Sequence, residues 1–346
     1  MIHFSYANLA WEQTSRLLSI DSPSGYTGTA ANWVQMVFEK MGYEPIITTK
    51  GGILIDLGGE DSNDGLLLEA HADTLGAMVA QIKGNGRLKL TPLGGMNANN
   101  AEAENVDVYA RNEKIFSGTC QLCNASVHVN KEYDSTKRSW DTVEVVLDED
   151  VNSAEDVRKL GIEVGDIVCF DPRTRRTYSG YLKSRFLDDK LSVGILMAFA
   201  QYLKDRQITL KRRTWIHVTV YEEVGHGGSA SVPAGITEAI SVDMGCVGDG
   251  LQCTERQVSI CAKDSGGPYS YEVVGKLIEA AKKTEADYAV DVYPFYGSDV
   301  ESTLRAGCDI RHGLIGPGVY ASHGYERSHI DGVHNTLKVL CGYLDV

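Results

Sequence analysis

Apolar positions recur at helical spacing at the start of the chain and then give way to short alternating runs. Over residues 7 to 19 and 28 to 41, Leu9, Leu17 and Leu18, then Trp33, Met36, Val37 and Met41, fall at the spacing of an amphipathic helix. The turn-rich DSPSGYTG separates them, so two helices are expected to open the protein. β-type runs follow, EPIITT and GILIDLG, with Gly51 and Gly52 between them as a hairpin signal, and then the apolar LLLEA.

From about Met78 to Asp171 the pattern changes to short strands with turn punctuation: MVAQIK, RLKLTPL, VDVYA, SVHV, DTVEVVLD and GDIVCFD. SAEDVRKLG interrupts them as a helix, with Ser153 placed to cap its start and Gly161 to end it. From Leu187 onward, buried helices and apolar strands alternate in LSVGILMAFAQYLK, TWIHVTVY, EAISVDM, SYEVVGKLIEAAKK and DYAVDVY, the pattern of a layered α/β sheet. The expected division is a catalytic domain built from residues 1–77 and 172–346, with a β-rich domain inserted at 78–171.

Composition narrows the function classes. At 346 residues, 43% hydrophobic and 23% charged, the chain has enough apolar material for an ample core and no bias toward disorder. A formal net charge of −14 repels phosphate backbones and anionic headgroups, which argues against nucleic acid or a membrane surface as partner. No run approaches membrane-spanning length, and the opening MIHFSYANLAWEQTSRLLSI is neither a basic leader nor a continuous apolar segment, so a soluble cytoplasmic protein is expected. The scattered cysteines, with Cys120 and Cys123 as a lone CxxC, read as reduced thiols.

The residues that carry chemistry sit at strand and loop ends. In LLLEAHADTLG, His71 and Asp73 leave a buried strand two residues apart and share a face, so Asp73 can hold the far ring nitrogen of a metal-binding His71. Asp188 and Asp189 introduce an apolar helix in RFLDDKLSVG, a position that the helix dipole favours with or without a metal. In WIHVTVYEEVGHGG, Glu222 and Glu223 end a buried strand, where paired carboxylates are costly unless a cation neutralises them. Asp243 follows an apolar strand in EAISVDMG, and GPGVYASHGYERSH carries His323 and His329. Each segment alone also fits a capped helix or a solvated loop. Together they place histidines and carboxylates along the edge where α/β sheets bind ligands, and mixed ligands of this kind suit zinc, cobalt or manganese. His217 reads as a packed strand residue, and His226 and His329 as substrate or supporting groups.

The motifs AHADTLG, LDDKLSVG, YEEVGHGG, SVDMG and GVYASHGYE, in that order, resemble the co-catalytic metallo-aminopeptidases of peptidase clan MH. Within that clan the chain is similar to the tetrahedral aminopeptidases (peptidase family M forty-two), and the likeness spans nearly the whole chain, including the β insertion and the GSD segment at Ser298 and Asp299. The resemblance implies an α/β/α zinc-peptidase-like catalytic domain with an inserted small β-barrel-like domain. It also implies two divalent ions, Zn²⁺ with Co²⁺ or Mn²⁺ as substitutes, held by His71, Asp188, Glu223, Asp243 and His323. Asp73 would support His71, Asp188 would bridge both ions and be joined to Asp189 by a cis peptide, and Glu222 would be the general base that activates a metal-bridging hydroxide. Short peptides as substrates and a homo-oligomer, commonly a dodecamer, are implied as well. Thr74, His226 and the SHGYE setting of His323 depart from the usual pattern in loops that border the pocket, which leaves substrate preference open.

Other readings compete. A metal-dependent amidase acting on a specialised small amide would use the same site. A glycan hydrolase would want two carboxylates about 5 to 9.5 Å apart across the bond, which adjacent Glu222 and Glu223 do not supply. A non-catalytic binding subunit would leave the complete set of ligands and base without a purpose.

Overall fold

A computed structural model describes residues 2–346. Helices α1 (Ser5–Leu18) and α2 (Gly28–Lys40) bury Ala7, Ala10, Trp11, Leu17 and Leu18, and Ala30, Ala31, Val34, Val37 and Phe38. The hairpin β1 (Ile46–Ile47) and β2 (Ile53–Gly58) pairs antiparallel across Gly51, whose φ of +97° is the left-handed backbone that favours glycine. Strand β3 (Asp61–His71) follows, and every residue from Gly65 to His71 is buried.

The segment Thr74–Pro172 is a compact unit of its own. Its strands β4 (Gly76–Ile82), β5 (Leu88–Leu93), β6 (Glu104–Tyr109), β7 (Ile115–Leu122), β8 (Val143–Leu147) and, after helix α3 (Ala154–Leu160), β9 (Ile167–Phe170) close into a barrel in the order β4-β5-β8-β7-β6-β9. Alternate residues fill it, among them Val106, Val108, Cys120, Leu122, Val143, Val145 and Val168, each at most 3% exposed. Ser153 caps α3 by accepting the Asp156 N–H, and Gly161 ends it at φ +100°. The expected strand SVHV is not one: Ser126–Val129 forms turns with Val127 and Val129 exposed, since an alternating pattern that short has no neighbour to pair with there.

The residues up to Asp73 and from Arg173 onward form the other unit. It continues with β10 (Arg175–Arg176), β11 (Tyr181–Ser184), α4 (Leu187–Asp205), β12 (Arg212–Thr219), β13 (Ile236–Val242), β14 (Gly245–Val247), β15 (Val258–Lys263), α5 (Tyr271–Lys283), β16 (Tyr288–Val292), α6 (Asp299–Arg305), β17 (Arg311–Tyr320), β18 (Glu326–His329) and α7 (Ile330–Leu344). The sheet runs β1-β2-β12-β3-β13-β17-β18-β11-β10, with β14 and β15 also paired to β17, and β12, β3, β13 and β17 run parallel at its centre. Helices α4 and α7 pack on β3 and β17, and α6 packs on β3 and β13, completing a layered α/β/α architecture. Burial on both faces explains why β3 reads as a continuous apolar run instead of an alternating one.

Candidate metal centre and active site

The four central parallel strands end together, and each delivers part of one cluster. β3 ends at His71; Glu222 and Glu223 follow β12 in a short 3₁₀ turn; Asp243 follows β13; His323 lies in the turn between β17 and β18. Asp188 and Asp189 enter from the first turn of α4, and the peptide between them is cis. Phe186, Tyr221 and His323 take left-handed backbone conformations beside these groups, an uncommon choice for residues with side chains.

All the sequence-predicted site residues converge. The two carboxylate oxygens of Asp188 face different imidazoles, His71 Nε2 at 3.3 Å and His323 Nε2 at 3.4 Å. His323 Nε2 also lies 3.6 Å from Glu223, and His71 Nε2 lies 3.7 Å from Glu222. Ligand atoms of His71, Asp188 and Glu223 fall within 4.8 Å of one another, as do those of His71, Asp189 and Asp243. The remaining histidines stay apart. His226 stacks on Tyr221 with ring centroids 5.0 Å apart, His329 caps α7 by accepting the Asp331 N–H, and His217 packs 3.3 Å from Glu69 inside the sheet.

Several residues to which the sequence assigns no ligand or base role hold this cluster in place. Glu326 accepts the backbone N–H of both Asp188, at 3.1 Å, and His323, at 2.9 Å. Asp189 accepts the His71 N–H at 3.2 Å. Asp299 accepts the Gly228 N–H at 2.6 Å and the Thr219 hydroxyl, pinning the glycine-rich loop after Glu223. Lys50 reaches the same loop from the hairpin, donating to the Gly227 carbonyl at 3.0 Å. Their signals in the sequence are single acidic or basic residues: Glu326 three after His323, Asp299 in GSD, Asp189 beside Asp188.

The electrostatics of the site call for cations. Burial pushes the carboxyls of Glu222, Glu223 and Asp189 well above the ordinary range and that of Asp243 to about 7, with neighbouring carboxylates adding to the effect. Asp188 goes the other way: its burial is outweighed by hydrogen bonds from His323 and His71, which hold it well below the usual carboxylate range. Burial alone would lower the histidines, yet Asp188 and its neighbours raise His71 well above 6.5 and His323 to about 10. Among the described residues, Glu223 Oε1 and Asp189 Oδ1 are buried without a hydrogen-bond partner. A largely buried cluster with this many carboxylates and two imidazoles, some oxygens left unmatched, fits divalent metal as its counter-charge.

A cavity of about 430 Å³ opens onto the cluster, lined by Asp188, Glu222, Glu223, Asp243 and His323 and rimmed by Phe295 and Tyr296. A second, of about 200 Å³, shares Glu222, Gly225, Tyr296 and Gly297 with it.

Comparison with known proteins agrees with this picture. The family model described as M42 glutamyl aminopeptidase matches residues 51–339. YhfE of Bacillus subtilis (strain 168) is 41% identical over 333 residues, covering 96% of each chain. Among solved structures, aminopeptidase APDkam598 from the archaeon Desulfurococcus kamchatkensis superposes with a TM-score of 0.87 at 20% identity, covering 98% of this chain and 95% of its own. The TET1 peptidase of Pyrococcus horikoshii, which assembles into a tetrahedron or a large octahedral shell, gives 0.85 at 20% identity with 97% and 99% covered. With the family model spanning most of its length, the chain belongs to the M42 glutamyl aminopeptidases and is a hydrolase of peptide bonds.

Proposed function

We propose that the chain is a two-metal aminopeptidase that removes the N-terminal residue of short peptides, with His71, Asp188, Glu223, Asp243 and His323 as metal ligands and Glu222 as general base. The observation that carries this reading is the carboxylate of Asp188, whose oxygens face His71 and His323 separately, as a group shared between two cations must. His71 and Asp243 would complete one site, Glu223 and His323 the other. Held by these residues, Zn²⁺, or Co²⁺ or Mn²⁺ in its place, would supply Lewis-acid polarisation of a carbonyl and would acidify a water.

The chain's own groups do the rest. Glu222 borders both cavities, and its burial gives it the proton affinity to take a proton from water and return it to the departing amine. Asp73 holds the turn that aims it, through the Glu222 N–H at 3.1 Å. The free α-amine of a peptide is cationic, and Glu223 and Asp243 in the cavity wall favour it over an acylated terminus, which makes the enzyme exo-acting.

Three further elements belong to the same proposal. The domain division at 1–77, 78–171 and 172–346 is supported by the separate closed barrel. A homo-oligomer, as large as a dodecamer, is supported by likeness to the shell-forming TET1 peptidase. A cytoplasmic location is supported by cysteines that, among the described residues, form no disulfide.

The test is metal content and hydrolysis of a panel of aminoacyl substrates before and after chelation, with Zn²⁺, Co²⁺ or Mn²⁺ restored. About two ions per chain with restorable exopeptidase activity is the expected result. Metal without peptide hydrolysis would move the assignment to a specialised small amide, and no metal would sink the ligand set.

A further inference from the structure

The smaller cavity has a wall chemistry of its own. It is about 200 Å³, room for roughly six waters at about 30 Å³ each and thus for one long side chain. No aliphatic side chain lines it; Ser265, Ser298 and Ser302 alternate with Glu222, Asp299, Glu301 and Arg305. The carboxylate of Asp299 is already committed to Gly228 and Thr219. That of Glu301 pairs with Arg305 and lies in hydrogen-bond contact with Asp264.

Glu301 is 8% exposed and its head group rests on bare backbone. A Cβ at Gly266 would fall 1.7 Å from its Oε1, so the absence of a side chain there makes the space it occupies. Its partner is Arg305, at 3.0 Å, whose side chain is 67% exposed, and an ion pair with so solvated a member is weakly held. Burial and the neighbouring Asp264 push the Glu301 carboxyl up to about 7, a sign that more positive charge would be welcome there.

An aminopeptidase has a single residue on the N-terminal side of the bond it cuts. The remainder of the peptide needs the larger cavity, where Phe295 stands 92% exposed at the rim. The smaller cavity meets it at the general base and is sized for one side chain. We propose, building on the aminopeptidase reading, that this cavity receives the side chain of the N-terminal residue and that Glu301 selects a cationic one, lysine or arginine, in place of Arg305. An acidic side chain would meet Glu301 in the cavity wall, with Asp264 behind it adding to the repulsion.

The experiment compares kcat/KM of the metal-loaded, full-length enzyme on the p-nitroanilides of Lys, Arg, Leu, Glu and Ala, with calorimetric binding of free L-lysine, L-leucine and L-glutamate alongside. Lys and Arg should exceed Leu and Glu by at least about tenfold, and Glu301→Gln should lower the Lys-to-Ala ratio by a similar factor. Arg305→Ala, a change at an exposed site, should raise that ratio, and it decides the matter if Glu301→Gln does not fold. A preference for Leu or Glu, or a Lys-to-Ala ratio that neither substitution moves, overturns the proposal. If no anilide is cleaved, the aminopeptidase reading fails; the subsite still stands or falls on whether lysine binds more tightly than leucine and glutamate.

Discussion

The carboxylate of Asp73 accepts the backbone N–H of Glu222 at 3.1 Å. Its other oxygen takes the Glu223 N–H at 3.3 Å and the Ser24 hydroxyl at 2.5 Å, while His71 Nδ1 lies closer to the Asp73 carbonyl, at 2.9 Å, than to its carboxylate, at 3.5 Å. Asp73 therefore works chiefly on the turn that carries the base and a metal ligand, and the ring of His71 is oriented by main chain.

Asp73→Asn keeps the shape but replaces one acceptor with a donor facing a donor. The turn should shift, with kcat/KM falling by about 10²-fold, the loss a misplacement of about 1 Å produces, while bound metal changes little. Kinetics with parallel metal analysis checks this. Wild-type turnover in the variant would remove Asp73 from the positioning scheme.

Glu326 makes a separate prediction, because it fixes the main chain of Asp188 and His323 at once. Supporting groups of this kind typically carry 10- to 100-fold in metal affinity. Glu326→Gln, or more severely Glu326→Ala, should weaken zinc retention by about that factor in competition with a chromogenic chelator. Unchanged retention would show that the loop keeps its shape unaided.

These two residues mark where sequence stops being informative. His71, Glu222, Glu223 and Asp243 announce themselves because each immediately follows an apolar run, and the parallel sheet brings the ends of such runs together. The hairpin at Gly51 and the cap at Ser153 are legible for the same reason, being local. Glu326 and Asp299 act on residues 138 and 71 positions away. An isolated acid in a polar loop reads as solvated, and only the fold makes it a buried acceptor. The added contact of Asp73 with the turn of Glu222 is not legible, because strand periodicity fixes which side chains share a face, not which backbone lies opposite.

Metal removal should also be visible as lost stability. Without a counter-charge, the cluster leaves Glu223 Oε1 and Asp189 Oδ1 buried and unmatched, beside carboxyls that burial already disfavours. Binding to the folded state alone contributes about 4 kcal/mol at a free metal concentration of 1,000 Kd. Chelation should therefore lower Tm by several degrees, and Zn²⁺ should restore it in a concentration-dependent way. The same titration with Glu223→Ala should give a smaller response. A Tm indifferent to chelator in a protein shown to bind metal would contradict the view that these groups rely on it.

The last prediction concerns Glu301, whose carboxyl is raised from 4.5 to about 7 by burial and by Asp264, against the opposing pull of Arg305. A carboxyl with a higher pKa folded than unfolded binds its proton more tightly in the folded state, so it costs nothing at low pH. The cost grows as pH rises from about 4.5 and is complete above about 7. Glutamine at this position has no proton to lose. Glu301→Gln should then match the wild type in stability near pH 5 and exceed it near pH 8, by about 1 kcal/mol once solvent screening on the Arg305 side is allowed for. Urea unfolding of metal-loaded wild type and variant across that range gives the difference directly. A difference that stays flat, or that shrinks with rising pH, would mean Arg305 already neutralises Glu301 in full, leaving no unmet charge for a substrate cation to satisfy.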